Sequence, residues 1–283
     1  MKKIVIGIFA LVFVSAFSQS RSDSLLLTKT EWVTKDLNYL RFFKDSVVYN
    51  FDNNKSELLF DLKNKKLTLK MEYRVGGRDL RTEEVDFKIK QLQPDKLVIE
   101  PIVANAEAKK AMAKLNPDPL LKDKQYIFYN RGQLVAPVDF KKITFHASTC
   151  FGTCPSMSVE VNRDGTVFYQ GRIYTREFTG NFEGKLSQGE MVELHKILNR
   201  SQLVTLDQKW KQLSRHNDTP RYNYIVELNN GEIIQINTND QHPILDRLSE
   251  FLLEVPEKAS LARVPVKHDF ATSTIENYRV SQN

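Results

Sequence analysis

The stretch Thr149-Cys150-Phe151-Gly152-Thr153-Cys154-Pro155 contains both cysteines of the chain. The glycine between them allows the backbone to reverse, and the proline fixes φ directly after the second cysteine. Apolar and polar residues alternate in Lys142 to Ala147 before the stretch and in Met157 to Val161 after it. This pattern predicts two strands joined by a tight loop at one end of an antiparallel sheet.

Residues 141–256 as a whole predict an α+β domain with an antiparallel sheet and two helices. Asn162-Arg163-Asp164-Gly165 and Asn230-Gly231 have the composition of hairpin turns. Ser187 to Asn199 predicts a helix that begins with a capping box and turns Met191, Leu194 and Leu198 to one face. Pro243 to Val255 predicts the second helix.

Two segments flank this domain. Residues 132–140 predict a linker, because Gly132 and Pro137 interrupt the strand pattern. Residues 257–283 lose hydrophobic periodicity, so we expect an extended tail.

Residues 22–131 alternate short apolar runs with turn residues, which is typical of an antiparallel meander. We expect a closed β-barrel, because closure removes the exposed edges of such a sheet. Residues 103–124 are rich in alanine and lysine up to a proline pair and predict a helical insert before the last strand. The strand alternation predicts these inward side chains: Leu58, Phe60, Leu67, Leu69 and Met71.

Residues 1–18 predict a secretory signal peptide. Lys2 and Lys3 precede an apolar run from Ile4 to Phe17, and Ala16-Phe17-Ser18 has the small residues of a cleavage site. The run is shorter than the roughly 18 residues that span a bilayer, so we expect a mature protein that starts near Gln19 and lacks a membrane helix. The predicted location is the periplasm or the extracellular space.

The charge of the chain excludes one class of partner. The formal net charge is +6 and falls to +4 when Lys2 and Lys3 are removed with the signal peptide. The remaining lysines are interleaved with acidic residues, which is typical of a solvated surface rather than of a nucleic-acid interface.

The two cysteines allow several kinds of chemistry. In an oxidising compartment Cys150 and Cys154 are expected to form a disulfide that shapes the loop of Phe151, Gly152, Thr153 and Pro155. Thiol–disulfide exchange is an alternative, although the spacing differs from Cys-x-x-Cys at a helix start.

Other side chains could support a metal site or hydrolysis. The first alternative joins the two cysteines with His146 and either His216 or His242. The second uses Asp218 with one of the same two histidines. No motif identifies a nucleophile for it, and Asp218 before Thr219-Pro220 also fits a turn. His195 beside the apolar helix face indicates packing.

The motifs of the C-terminal half resemble those of the secreted bacterial family catalogued as domain of unknown function 6438. That resemblance implies an exported domain without an established activity, so no catalytic residue is carried over. Under this resemblance, Asp218 and Pro220 are motif residues whose role is unknown. The matching motifs, in chain order, are Cys150-Phe151-Gly152-Thr153-Cys154-Pro155, Asp164-Gly165-Thr166-Val167, Tyr169-Gln170-Gly171, Gly180, Gly184 and Asp218-Thr219-Pro220.

The N-terminal half resembles bacterial lipocalin-like domains through Trp32, the run Tyr39 to Phe42, the pair of runs within 89–99, and Phe128 to Arg131. The resemblance implies that Trp32 packs at a closed barrel end with Arg131 over its ring. It also implies a cavity that takes an apolar small molecule.

Taken together, these features predict an exported, non-catalytic binding or envelope-associated protein that needs no cofactor. The candidate partners are an apolar small molecule in the barrel and an envelope protein. The alternative function is a periplasmic thiol–disulfide or metal-handling protein that uses Cys150 and Cys154.

Overall fold

The computed structural model describes residues 23–51, 54–102, 123–209 and 219–271. The chain divides into two compact units with the boundary between Leu134 and Val135. The predicted signal peptide, most of the insert at 103–124, and both Asp218 and His216 lie outside the described residues.

The first unit is a closed barrel of eight antiparallel strands, in which β1 pairs with both β2 and β8. This confirms the predicted antiparallel barrel and gives loose support to the lipocalin-like resemblance. The strands are β1 (Glu31–Val33), β2 (Tyr39–Phe42), β3 (Ser46–Phe51), β4 (Asn54–Lys63), β5 (Lys66–Val75), β6 (Asp79–Leu92), β7 (Lys96–Pro101) and β8 (Tyr126–Asn130).

Apolar side chains that pack on one another occupy the barrel interior. Phe51 is central to this core, with its ring centroid 5.1 Å from that of Tyr126 and 5.9 Å from that of Phe128. A helical segment at residues 23–29, α1, contributes Leu27 to the same core. The Leu27 carbonyl accepts a hydrogen bond from Nε1 of the buried Trp32 at 3.4 Å. The core therefore includes both strands and the helix that precedes them.

Four of the five predicted inward residues contribute to this core, and Met71 does not. Leu58, Leu67 and Leu69 are buried, and Phe60 packs against the core. Met71 is 42% exposed because β5 and β6 continue as a two-stranded ribbon in which residues 76–84 are also exposed. Strand alternation identifies one side of a strand but not where the strand leaves the core.

Arg131, which directly follows β8, has an acidic partner in Glu31. The buried Arg131 side chain forms an ion pair with Glu31, and its backbone N–H donates to the Glu31 carbonyl at 2.8 Å. Arg131 is thus fixed at the junction of β1 and β8. Its stacking on Trp32 stays a prediction.

The second unit contains a seven-stranded antiparallel sheet, which confirms the predicted sheet type. Its spatial order is β14-β13-β9-β10-β11-β12-β15. The strands are β9 (Phe140–Ala147), β10 (Ser156–Asn162), β11 (Thr166–Ile173), β12 (Gly180–Lys185), β13 (Tyr222–Leu228), β14 (Ile233–Thr238) and β15 (Ser260–Arg263).

Helices cover one face of this sheet, which we call the helix face. They are α2 (Gln188–Arg200), α3 (Leu203–Lys209), α4 (Asp246–Leu253) and α5 (Val255–Lys258). The capping box of Ser187 and Glu190 is confirmed, and Met191, Leu194 and Leu198 are buried as predicted. Ser249 of α4 lies 2.6 Å from the hydroxyl of Tyr224, which places this helix over β13. The sequence did not predict α3.

The segment expected to be an extended tail begins with ordered structure. After α5, strand β15 pairs with β12 at the sheet edge. Gly184 explains how the two strands approach, because a Cβ there would lie 2.1 Å from the Ser260 carbonyl oxygen. Residues 264–271 follow β15, and we call them the strap.

Among the residues that the structure describes, no helix is both long enough and apolar enough to cross a bilayer.

Candidate functional site

The clasp loop, residues 149–155, connects β9 to β10 at one end of the sheet. A disulfide joins Cys150 to Cys154, with their Cα atoms 5.5 Å apart. The backbone N–H of Gly152 points to Sγ of Cys150 at 3.3 Å. The loop is therefore a short covalent ring held by two paired strands.

Gly152 does not have the role that the sequence suggests. The φ angle of Gly152 is not positive. A Cβ at this position would make only an ordinary contact with Sγ of Cys150 at 3.7 Å. The backbone reversal therefore does not require glycine. The disulfide and Pro155 shape the loop instead.

Phe151 lies at the tip of the ring and is 91% exposed. Thr153, also in the ring, is exposed as well. Apolar side chains of this size are usually buried, so an almost fully exposed phenylalanine on a covalently restrained loop indicates a contact surface.

A pocket of about 500 Å³ adjoins the clasp loop. Thr153 and Pro155 form one side, and the segment after β11 and the end of the α4–α5 region form the others. The apolar lining comes from Pro155, Met157, Tyr169, Tyr174, Phe178, Leu253 and Pro256, and the polar lining from Thr153, Thr175, Arg176, Glu177 and Glu257. Such a lining suits an apolar group with polar contacts around it.

The buried Tyr169 is one of the residues that line this pocket. Burial raises the pKa of Tyr169 well above its ordinary value, against the opposing hydrogen bond with Thr175. The phenol therefore stays protonated at physiological pH. Gly171 leaves room for this arrangement, because a Cβ there would lie 2.1 Å from the Phe178 carbonyl and 2.9 Å from the Tyr169 hydroxyl oxygen.

The segment that follows the motif Asp218-Thr219-Pro220 lies at the same end of the sheet as the clasp loop. The N–H of Ser148 donates to the Arg221 carbonyl, and the Arg221 N–H donates to the Ser148 hydroxyl, both at 2.9 Å. Pro220 therefore precedes a segment that is anchored directly before the clasp loop. Asp218 is outside the described residues, so its role stays open.

Among the described residues, the structure does not bring the predicted metal ligands together. His146 lies on the sheet face opposite the helices, and His242 caps the turn before α4 by accepting the N–H of Ile244 at 3.1 Å. Within the described ranges, no three His, Cys, Asp or Glu side chains form a group that could hold a metal. His195 packs on Phe140, with ring centroids 4.9 Å apart.

Sequence reasoning missed a network of buried polar side chains on the face opposite the helices. Ser158 lies 2.7 Å from Nδ1 of His146 and accepts hydrogen bonds from Arg172 at 2.8 and 2.9 Å. Glu160 accepts hydrogen bonds from Thr144 at 3.0 Å and from Lys142 at 3.3 Å. The sequence feature that could have predicted this network is the recurrence of polar residues at alternate positions of adjacent strands.

Part of the second unit is similar to a known family. Residues 141–257 match the model of a family described as "Domain of unknown function (DUF6438)", which supports the resemblance of the C-terminal half. Neither the search of curated proteins nor that of solved structures found a match.

Proposed function

We propose that this chain is an exported, non-catalytic binding protein of the cell envelope. Its clasp loop and the adjoining pocket would recognise an apolar side chain within a peptide segment of an envelope protein. The observation that carries the proposal is the 91% exposure of Phe151 on a disulfide ring beside the pocket.

The energetics of such a contact are favourable. Burying a phenylalanine side chain contributes about 1.5 to 3 kcal/mol. The ring is restrained by its disulfide and by paired strands, so the loop loses little conformational entropy when it binds. Phe151 can therefore act as a rigid anchor, while the pocket receives a side chain from the partner.

Export is supported by residues 1–18, which have the pattern of a signal peptide, and by a disulfide, which is stable in an oxidising compartment. Thiol exchange by Cys150 and Cys154 is the competing function. Its usual setting is a helix start, whereas here strands flank both cysteines.

We place binding at the clasp loop rather than in the barrel, because aromatic and aliphatic side chains occupy the barrel interior. An apolar small molecule in the barrel stays a prediction. Mass spectrometry of the native protein from the envelope fraction would detect a retained lipid, the N-terminus near Gln19 and the state of both cysteines in one measurement.

The binding proposal is tested by selecting a phage-displayed library of random peptides against mature protein. We expect the enriched peptides to share an apolar residue and to lose binding to Phe151→Asp. Ile233→Asp is the matched control, because Ile233 is 62% exposed on β14. Replacing both cysteines with serine should weaken binding without loss of the fold.

Two outcomes would contradict the proposal. One is a library that yields no enriched sequence, and the other is enriched peptides that bind Phe151→Asp as well as wild type. Reduction and reoxidation of a thiol substrate by the wild type, but not by the double serine variant, would favour the thiol-exchange function instead.

A further inference from the structure

The face opposite the helices is buried although it is polar, and we call it the polar face. It is formed by alternate residues of the central strands, which point away from the helices. Its most deeply buried members are at most 3% exposed: Thr144, His146, Ser158, Glu160 and Asn223.

The strap lies over this face and contacts it at separate points. The imidazole of His268 stacks on Phe168 with ring centroids 3.9 Å apart and an interplanar angle of 3°. Its Nε2 lies 3.3 Å from a carboxylate oxygen of Glu160. Three residues later, the Ala271 carbonyl lies 3.0 Å from Nε2 of His146. The ring of Phe270 lies edge-on to that of His146, with centroids 6.2 Å apart. Two side chains and one backbone group of the strap thus contact the face.

The network behind the face fixes the groups that contact the strap. A carbonyl oxygen can only accept, so Nε2 of His146 carries the hydrogen and donates it to the strap. Ser158 holds the other ring nitrogen at 2.7 Å and is itself held by Arg172. Thr144 and Lys142 orient the Glu160 carboxylate in the same way. The polar face is therefore an ordered set of recognition groups.

The strap contacts the face through only some of its residues. Val266 is 73% exposed, and Lys267 and Asp269 are also exposed. A permanent cover would favour an apolar surface beneath it, since burying polar groups costs free energy unless each is hydrogen-bonded. Water or another peptide can satisfy the same polar groups when the strap leaves. Local opening of such a segment requires far less free energy than global unfolding.

We infer that the polar face is a peptide-binding site that the strap occupies within its own chain. From another protein it would take an extended peptide with an imidazole or basic side chain for Glu160 and Phe168. Three residues later, that peptide would present a backbone carbonyl to His146. The site is on the opposite side of the sheet from the pocket, so it is independent of the proposed function.

The test uses the full chain with a weakened strap, His268→Ala together with Phe270→Ala. The probe is a fluorescent synthetic peptide with the sequence of residues 264–271, titrated by anisotropy. We expect saturable binding to the strap variant and binding about tenfold or more weaker to wild type, because affinity falls with the fraction of chains whose strap is open. Peptides with His→Ala or Phe→Ala, which leave the protein unchanged, should bind less well.

Equal binding of a scrambled peptide to a folded strap variant would overturn the inference. Hydrogen exchange on the wild-type chain provides a second test that needs no variant. The strap amides should exchange through local opening, well before those of β13, which is hydrogen-bonded to a strand on each side. Exchange of both segments only through global unfolding would also overturn the inference. Phe151→Asp should change neither measurement, which separates this site from the clasp loop.

Discussion

The two faces of the second unit's sheet are built from the same strands but are buried in different ways. In β10, Met157, Val159 and Val161 lie on the helix face, and Ser158 and Glu160 lie on the polar face. All five are at most 3% exposed. Helices cover the first set, and the strap of eight residues extends over the second.

Burial alone therefore does not indicate what stabilises a surface. On the helix face, each buried aliphatic side chain contributes about 1.5 to 3 kcal/mol through the hydrophobic effect. On the polar face, each hydrogen bond contributes about 0.5 to 1.5 kcal/mol, because the same groups bond to water when uncovered. We therefore expect the helix face to stabilise the fold and the polar face to tolerate opening.

The largest effect should come from the helix face. Leu194 of α2 is completely buried, so Leu194→Ala should lower the free energy of unfolding by about 2 to 5 kcal/mol. The control is Val192→Ala in the same helix, where the side chain is 64% exposed and the change should stay within about 0.5 kcal/mol. Urea denaturation measures both. Similar losses in the two variants would contradict our account of this face.

A second substitution acts on the edge from which the strap emerges. Gly184→Ala should cost about 3 kcal/mol, because its Cβ would collide with the Ser260 carbonyl and displace β15. Gly189→Ala is the matched control, since its Cβ would meet only the Ser187 hydroxyl at 3.8 Å and alanine favours a helix. Hydrogen exchange should show faster exchange in β15 of the first variant only. Unchanged protection there would contradict the close approach of these strands.

On the polar face, Thr144→Val keeps the side-chain shape and removes the hydrogen bond to Glu160. We expect a loss of about 1.5 kcal/mol, smaller than for Leu194→Ala, because Lys142 and His268 still contact the carboxylate. The exposed Thr82→Val in the first unit is the control. A loss as large as that of Leu194→Ala would remove the distinction between the faces.

The smallest effect should come from a turn that belongs to neither face. Two hydrogen bonds from Thr166, at 2.9 Å each, lower the pKa of Asp164. A lowered pKa stabilises the fold above the unfolded value of about 3.9, and this stabilisation is lost as the pH falls through the folded pKa. Asp164→Ala should therefore shift the urea midpoint at about pH 7 and converge with wild type at strongly acidic pH. A shift that does not change with pH would contradict this.

Many local elements could be predicted because their determinants lie close together in the sequence. The capping box of Ser187 and Glu190 and the hairpin at Asn230-Gly231 depend on residues within a few positions of each other. Met71 was placed wrongly because alternation continues along a ribbon that has left the core. Alternation along β10 indicates that Ser158 and Glu160 point away from the apolar core. Nothing within β10 indicates that a segment over a hundred residues later in the chain contributes to burying them.

Periodicity and turn chemistry are local, so the sequence predicted most of the strands and helices, the barrel and sheet classes, and a tight loop at the two cysteines. What covers each face of the sheet depends on the tertiary structure. It brought His146, Ser158 and Arg172 together from three strands and set His268 against Glu160. It also left Phe151 exposed beside a pocket whose walls come from distant segments. Contacts between residues far apart in the chain depend on how the strands pair, and that pairing is a property of the whole fold.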